Sequence, residues 1–343
     1  MKWIEPKYPR KKVKKAGDYL VKADIDSTEF KESIPVFHNW RSAHAFPMQI
    51  MLDLLRKNSI RIDRGAIAVQ RLKRVPSIYT KLVREKGMSL SRMEDIAGCR
   101  VVVDNVRYVN KVYSLLKKSR TKNILHRERD YITAPKESGY RGVHLIFKYN
   151  GSKEKYHGMA VELQIRSKIQ HSWATAVEVV GAYTKQALKA SSGDTMWLDA
   201  FKYISAEFSK LEGCPVDGRF NGIDTFHLMA KHINELNMLE RLTAFKVATR
   251  ALTQDKEHGA GYFIVLLDLD ERLVSYSRFG KSQLDEATSF YDEQESLHKD
   301  SPSKDVVMVS AASVRDLKRA YPNYFADTAV FERYLAKVYE ANK

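Results

Sequence analysis

Short apolar runs of strand length punctuate the middle of the chain. Residues 98–103 (GCRVVV) are β-branched and almost continuous, which predicts a buried strand. Residues 142–149 (GVHLIFKY) and 159–166 (MAVELQIR) predict two more, and Asn150, Gly151 and Ser152 between them predict a hairpin. Apolar positions at helical spacing predict helices over 38–57, where Pro47 interrupts the pattern, over 77–86 just after Pro76, and over 106–119, 169–188 and 195–211. Residues 59–69 show no such period and predict a short irregular segment. Strands mixed with helices in this order imply an α/β or α+β core that ends near residue 213.

Residues 214–222 (CPVDGRFNG) are rich in breakers and read as a linker. One long helical pattern follows over 224–256, with Leu228, Ile233, Leu236, Leu239 and Leu242 as its apolar stripe. A smaller unit comes next, with strands over 262–269 and 273–279, a helix over 282–298, a strand over 305–310, a short helix over 314–320 and a last helix over 329–341. The expected organisation is a basic arm over 1–34, a main domain over 35–213, a linker and long helix over 214–256, and a C-terminal domain over 257–343. The expected class is α+β: a mixed sheet with flanking helices, then a small ββαβα-like unit.

The chain has 343 residues, 44% of them hydrophobic and 29% charged, which suffices for one large core or two ordinary ones and excludes a collagenous or wholly disordered protein. No run approaches the roughly 18 apolar residues of a membrane helix, so no membrane partner is expected. The basic start has no apolar stretch behind it and predicts no signal peptide. Cys99 and Cys214 form no CxxC pair, which argues against a cysteine zinc site and suits a reducing cytoplasm. Charge is unevenly spread. Residues 257–343 hold 15 acidic and 11 basic side chains, net −4, so the total of +16 leaves +20 on residues 1–256. Such a cationic body suits phosphate-rich partners, and an anionic appendage could dock on it; two unrelated solvated surfaces would give the same numbers. Residues 1–23, with eight Lys/Arg and two acids, form an arm expected to be poorly ordered.

Four segments carry candidate chemistry. Arg71, Lys73, Ser77 and Lys81 follow R-x-K-x-x-x-S-x-x-x-K, which would put a hydroxyl and cations at a helix start, a suitable triphosphate cradle or simply a solvated basic helix. Asp95 precedes the strand that carries Arg100 and is a candidate hard-cation ligand or an ordinary cap. Gly139 and Gly142 flank Tyr140 and Arg141, a ring that could stack a nucleobase beside a cation that could meet phosphate. In VELQIR, alternation puts Glu162, Gln164 and Arg166 on one strand face and Val161, Leu163 and Ile165 on the other. A magnesium–nucleotide site would use Asp95 and Glu162 on the metal and the arginine on phosphate; a half-exposed strand would show the same alternation.

These motifs, with DIAGCR, DYITAPKESGYRGVH and VELQIRSKIQHSWA in this order, resemble the RelA/SpoT synthetase domain over about residues 35–212. The resemblance implies transfer of pyrophosphate from ATP to a 3′-hydroxyl. It implies Arg71, Lys73, Ser77, Lys81 and Arg100 on the donor, Arg107 beside the adenine, Asp95 and Glu162 on Mg²⁺, Tyr140 against the acceptor base, and Lys136, His144, Gln164 and Arg166 lining the pocket. Residues 105–129 hold eight Lys/Arg and one acid. With Lys11, Lys12, Lys14 and Lys15, this cluster, including Lys117 and Lys118, suits the acceptor used by toxic small alarmone synthetases, the tRNA 3′ CCA end. The Y-P-N-Y of Tyr321 and Tyr324 resembles the neutralisation motif of the CapRel family of fused toxin–antitoxins. There a pseudo-zinc-finger domain blocks ATP binding until a phage protein such as major capsid protein releases it. The chain is thus expected to be a monomeric cytoplasmic tRNA pyrophosphokinase toxin held inactive by its own C-terminus. An alarmone synthetase using guanosine or adenosine nucleotides, and an RNA-binding module on a degenerate synthetase, are the alternatives. Two tyrosines three apart would share a helix face, although Pro322 lies between them.

Overall fold

The computed structural model describes residues 3–184, 186, 188, 193–248, 250–251, 260–268, 270–271, 273–298, 301, 304–311, 313–325 and 327–343, with backbone alone at 244–248, 250, 251, 305, 315, 319, 320 and 324. Three helices open the chain: α1 (Arg10–Lys22), α2 (Thr28–Ala43) and α3 (Ala45–Ile60). The basic arm is therefore not loose. Val13 and Ala16 are buried against Trp40, Leu90 and Tyr156, because the arm interleaves small apolar residues with its lysines at helical spacing. The break expected at Pro47 falls at His44 instead. Pro47 sits in the first turn of α3, where its missing N–H has no intrahelical partner to lose.

The middle of the chain gives β1 (Ile67–Leu72), α4 (Val75–Arg84), β2 (Ala97–Val103), α5 (Val106–Lys117), β3 (Ile124–Asp130), β4 (Val143–Lys148), β5 (Ala160–Ser167), α6 (Lys168–Tyr183) and α7 (Thr195–Leu211). β1 overrides the irregular reading of 67–69, since β2 pairs alongside it and Ile67 and Val69 are buried against Phe263, Val307 and Val309 of the smaller unit. β3 has no counterpart in the sequence reading; as an exposed edge strand, ILHRERD lacks an apolar face. The segment after 222 is two helices, α8 (Thr225–Glu235) and α9 (Met238–Ala248), separated at Asn237 with φ 46°. Asparagine tolerates this left-handed conformation better than most residues, so one long pattern is split. The smaller unit holds β6 (Arg250–Ala251), β7 (Gly261–Asp268), β8 (Leu273–Gly280), α10 (Leu284–Leu297), β9 (Lys304–Ala311), α11 (Val314–Ala320) and α12 (Ala329–Ala341).

Among the described residues, all strands join in one sheet of order β3-β4-β5-β2-β1-β9-β7-β8-β6. β2 and β5 are parallel, and β1, β4 and β3 add antiparallel around them. Val143, Leu145, Phe147, Val161, Leu163, Ile165, Cys99 and Val101 face one side and pack on Met51, Leu52 and Leu55 of α3 and Val109 and Val112 of α5. The smaller unit joins through a short antiparallel contact, Gln70 opposite Ser310 and Arg71 opposite Val309. It is held a second time by α12, whose Phe331, Leu335 and Val338 are buried among Trp173, Trp197, Phe201 and Phe208 of α6 and α7. No helix among the described residues is long and apolar enough to cross a membrane.

Candidate active site

The sheet face opposite α3 and α5 is polar, and a cleft of about 1930 Å³ opens over it. Alternation dictates this face. With Val161, Leu163 and Ile165 turned into the core, Glu162, Gln164 and Arg166 of β5 point into the cleft. Register then aligns the neighbours: Gln164 lies opposite Arg100 of β2 and His144 of β4, and Gly98 lies opposite both Glu162 and Arg71.

Five side chains on this face close a ring of hydrogen bonds. Glu162 Oε1 is 2.8 Å from His144 Nδ1, and His144 Nε2 is 2.6 Å from the Tyr140 hydroxyl. That hydroxyl accepts from Arg166 Nε at 3.1 Å, Arg166 Nη2 donates to Gln164 Oε1 at 3.1 Å, and Gln164 Nε2 donates to Glu162 Oε2 at 2.7 Å. Burial lowers the pKa of His144, aided by Arg166 and Lys136 and opposed by Glu162. A neutral imidazole donating from Nδ1 to the carboxylate and accepting the tyrosine proton at Nε2 satisfies every group. Burial alone would raise the Glu162 carboxyl; His144, the Gln164 amide and Lys73 outweigh it and hold it well below the usual carboxylate range. Burial raises the Tyr140 hydroxyl, with Arg166 opposing.

Two glycines set the Tyr140 loop. Gly139 has φ 88° and Gly142 φ 148°. A Cβ at Gly139 would meet Ser205 Cβ at 3.0 Å, and one at Gly142 would meet the Tyr140 hydroxyl at 3.2 Å. Lys136 Nζ stands 5.1 Å and Arg166 Cζ 5.0 Å from the Tyr140 ring centre, so the ring lies among cations as a base-stacking surface between phosphate-binding groups would.

The R-x-K-x-x-x-S-x-x-x-K segment runs off β1 into α4. Arg71, Lys73, Ser77 and Lys81 all line the cleft, Pro76 at the start of α4 presets its first turn, and Ile78 and Leu82 bury its other face. Asp95 takes ion pairs from Lys73 Nζ at 3.1 Å and Lys81 Nζ at 3.0 Å. Arg100 is buried, and burial together with Arg166 pushes its pKa down to about 10. Among the described residues no group of three or more His, Cys, Asp and Glu gathers to hold a metal by itself. Two carboxylates on a cleft lined by Arg71, Lys73, Ser77 and Lys81 still suit Mg²⁺, which takes one or two protein carboxylates and completes its octahedron with phosphate oxygens and water. Asp95 and Glu162 are the residues that would hold it, and Lys73 and Lys81 would pass from Asp95 to the phosphates.

The smaller unit forms one wall of the same cleft through Leu267, Glu295, His298, Ser301, Lys304, Val306 and Asn323. Tyr321 is buried, its ring 5.3 Å from Arg100 Cζ. It packs among Val69, Phe263, Val309 and Leu317, in the core between β1 and the smaller unit. The shared helix face does not form. α11 ends at Ala320, Tyr321 is its C-cap, and Pro322 begins a separate 3₁₀ turn, Pro322–Phe325, because proline cannot continue the helix. The Tyr324 side chain lies outside the described residues.

The structure thus gathers Arg71, Lys73, Ser77, Lys81, Asp95, Arg100, Lys136, Tyr140, His144, Glu162, Gln164 and Arg166 on one cleft. It separates Arg107, which is exposed on α5 away from the cleft lining because the opposite helix face, Val109, Val112 and Leu116, is the buried one. Arg100 and Arg71 are the cations beside Tyr321. Lys117 pairs with Glu128 at 3.0 Å, and Lys118, Lys11, Lys12, Lys14 and Lys15 are exposed outside the cleft. Sequence reasoning missed Arg10, Arg127, Arg129 and Glu295 as cleft residues. Arg10 donates to the His157 carbonyl at 3.3 Å, and Arg129 lies on the edge strand that carried no periodicity.

Residues 70–187 match the family model described as the region found in RelA / SpoT proteins. The GTP pyrophosphokinase YjbM of Bacillus subtilis is 38% identical over 111 residues, 31% of this chain and 51% of that protein. YwaC of the same organism is 32% identical over 112 residues, 31% of this chain and 52% of that protein. The chain thus spans about half the length of these two relatives. The crystal structure of small alarmone synthetase 1 from Bacillus subtilis bound to its product pppGpp is similar at 29% identity over 43% of this chain and 74% of that one, with a TM-score of 0.38.

Proposed function

We propose that the RelA/SpoT region at residues 70–187 transfers the β,γ-pyrophosphoryl group of ATP to the 3′-hydroxyl of a tRNA acceptor end, and that the C-terminal unit holds this activity off. The observation that carries the reading is the joint occupation of one cleft by the donor motif, the Tyr140 platform and the Glu162 network, with Tyr321 seated on Arg100. In the reaction the acceptor oxygen attacks the β-phosphorus, the bond from that phosphorus to the α,β-bridging oxygen breaks, and AMP leaves. Arg71, Lys73, Ser77, Lys81 and Arg100 bind the donor, and bound Mg²⁺ would neutralise phosphate charge. The Tyr140 ring stacks the terminal base, Glu162 and Gln164 orient the hydroxyl, and Arg166 holds Tyr140 in place. The +20 charge of residues 1–256 and the exposed lysines of α1 and α5 support a polyanionic acceptor. Release by a phage structural protein such as a capsid subunit completes the proposal as a defence system. A second reading, synthesis of a guanosine or adenosine alarmone under the same C-terminal control, is favoured by the GTP pyrophosphokinase names of the relatives.

The test supplies γ-labelled ATP and Mg²⁺ to the Tyr321→Ala chain with bulk tRNA, GDP, GTP or AMP, and Glu162→Gln as the inactive control. Label on tRNA that disappears when its 3′ end is oxidised by periodate is the expected result. Label on GDP, GTP or AMP alone selects the alarmone reading, and label on no acceptor rejects pyrophosphate transfer.

A further inference from the structure

The first turn of α4 is already occupied by an anion. The Val75 N–H donates to Glu295 Oε1 at 2.9 Å, across 220 residues of sequence. The helix has no side-chain cap of its own: its N-cap residue is Arg74, which has no acceptor, and Pro76 has no N–H. Orphan N–H groups and the positive end of the helix dipole favour an anion there. The smaller unit supplies one from α10.

The same carboxylate is clamped from behind. Arg41 of α2, buried at 3% side-chain exposure, places Nη2 3.9 Å from Glu295 Oε2. Nη2 also donates to the Tyr291 hydroxyl at 2.8 Å, while Nε donates to the Lys73 carbonyl at 2.8 Å. One guanidinium therefore ties the donor segment, at Lys73, to two residues of α10. Glu295 lines the cleft with Arg74, Ser77 and Lys81.

We infer that Glu295 is a second inhibitory contact, distinct from Tyr321, which holds the phosphate seat of α4 in place of a donor polyphosphate. The inference rests on reading α4 as that seat. A carboxylate offers acceptor oxygens and negative charge, as a phosphate does, so both fit the same N–H but cannot use it together. Tyr321 bears on Arg100 and Glu295 on the first turn of α4, so the two contacts are separate. Polyphosphate binding and docking of α10 then oppose each other.

The experiment uses the full chain as wild type, Glu295→Gln and Glu295→Ala, with inorganic tripolyphosphate, ATP and adenosine as ligands. Affinity is read by calorimetry and docking by hydrogen exchange of residues 284–297. Both variants should bind tripolyphosphate about five- to tenfold tighter than wild type, from removal of a competing charge at the helix end. Adenosine, which lacks phosphate, should bind all three alike, and saturating tripolyphosphate should speed exchange of 284–297 in the wild type. Equal tripolyphosphate affinity in the three proteins overturns the inference, as does undiminished protection of 284–297 at saturation. A parallel gain for adenosine also overturns it, since Glu295 would then hold the whole unit shut rather than compete for one seat. If tripolyphosphate behaves as expected but ATP binds none of the three, the inference stands and the assignment of ATP as donor falls.

Discussion

Tyr140 serves the site through two separable parts. Its ring is the proposed stacking surface, and its hydroxyl links His144 to Arg166 in the closed network. Tyr140→Phe keeps the surface and breaks the network, so acceptor KM should stay within a few-fold while kcat falls. Tyr140→Ala removes a base stack worth about 1–3 kcal/mol, so acceptor KM should rise about five- to 150-fold. Equal KM values for the two variants would show that the ring is not the acceptor's surface. The sequence gives Glu162, Gln164 and Arg166 by simple alternation, yet it cannot show that they bond to one another through His144 and Tyr140, which depends on the register between β4 and β5. Two buried groups outside the network bear on stability. Burial, with Arg10 adding to it, pushes His44 down to about 4, and burial pushes Glu212 up to about 7. Between about pH 4 and 6.5 the unfolded chain binds a proton at His44 that the folded one refuses, so this residue makes stability fall as pH falls. Between about pH 4.5 and 7 the folded chain keeps a proton on Glu212 that the unfolded one loses, so this residue makes stability fall as pH rises. Each amounts to on the order of 3 kcal/mol across its window, with opposite signs, and together they largely cancel near pH 5–6. Relative to wild type, Glu212→Gln should gain stability as pH rises from 5 to 6.5, and His44→Gln should lose it. Denaturant melts of the three proteins at those two pH values measure the differences, and parallel shifts in both variants would contradict the assignment.

Strands with a face packed on helices declare themselves in the sequence, and an exposed edge or a docking site does not. β2, β4 and β5 carry apolar residues where α3 and α5 cover one of their faces. β3 is an exposed edge and leaves no apolar trace, while Asn237 divides a pattern that periodicity alone reads as continuous. α12 is legible as a helix over 329–341, but its docking site is not, since nothing in AVFERYLAKVYEA says that Phe331 inserts between Phe201 and Phe208. That insertion makes α12 part of the core of α6 and α7. Phe331→Ala should therefore cost about 3–5 kcal/mol, typical of a fully buried phenylalanine. It should lower the main calorimetric transition rather than a separate C-terminal one. An unchanged main transition with a new early one would mean that α12 melts independently of α6 and α7.

Across the whole molecule, the sheet and α12 join the two halves more closely than a flexible tether would. Charge asymmetry is legible in the sequence, but the strand contact between β1 and β9 is not, because two residue pairs of a sheet leave no pattern. This arrangement bears on how inhibition should be tested. Removing residues 257–343 would strip Phe331, Leu335 and Val338 from the α6–α7 core and uncover the edge of β1, so loss of activity in such a fragment would report misfolding. Point changes at the contact avoid this. Attraction between a +20 body and a −4 unit is screened within about 10 Å at roughly 0.1 M salt, so the proposed closed state would have to rest on directed contacts. Tyr321→Phe keeps the ring over Arg100 and the packing around it, and should leave the full chain closed. Tyr321→Ala removes both. If the closed state exceeds the open one by about a hundredfold, or about 2.7 kcal/mol, losing a desolvated cation–π contact of about 2 kcal/mol together with ring packing of similar size would leave the open state favoured by roughly tenfold. ATP should then bind the Ala variant at least tenfold tighter than wild type or the Phe variant, and expression of the Ala variant alone should arrest growth. ATP affinity and growth that are the same for all three proteins, with the Ala variant still folded by circular dichroism, would show that Tyr321 packs the smaller unit and does not close the donor site.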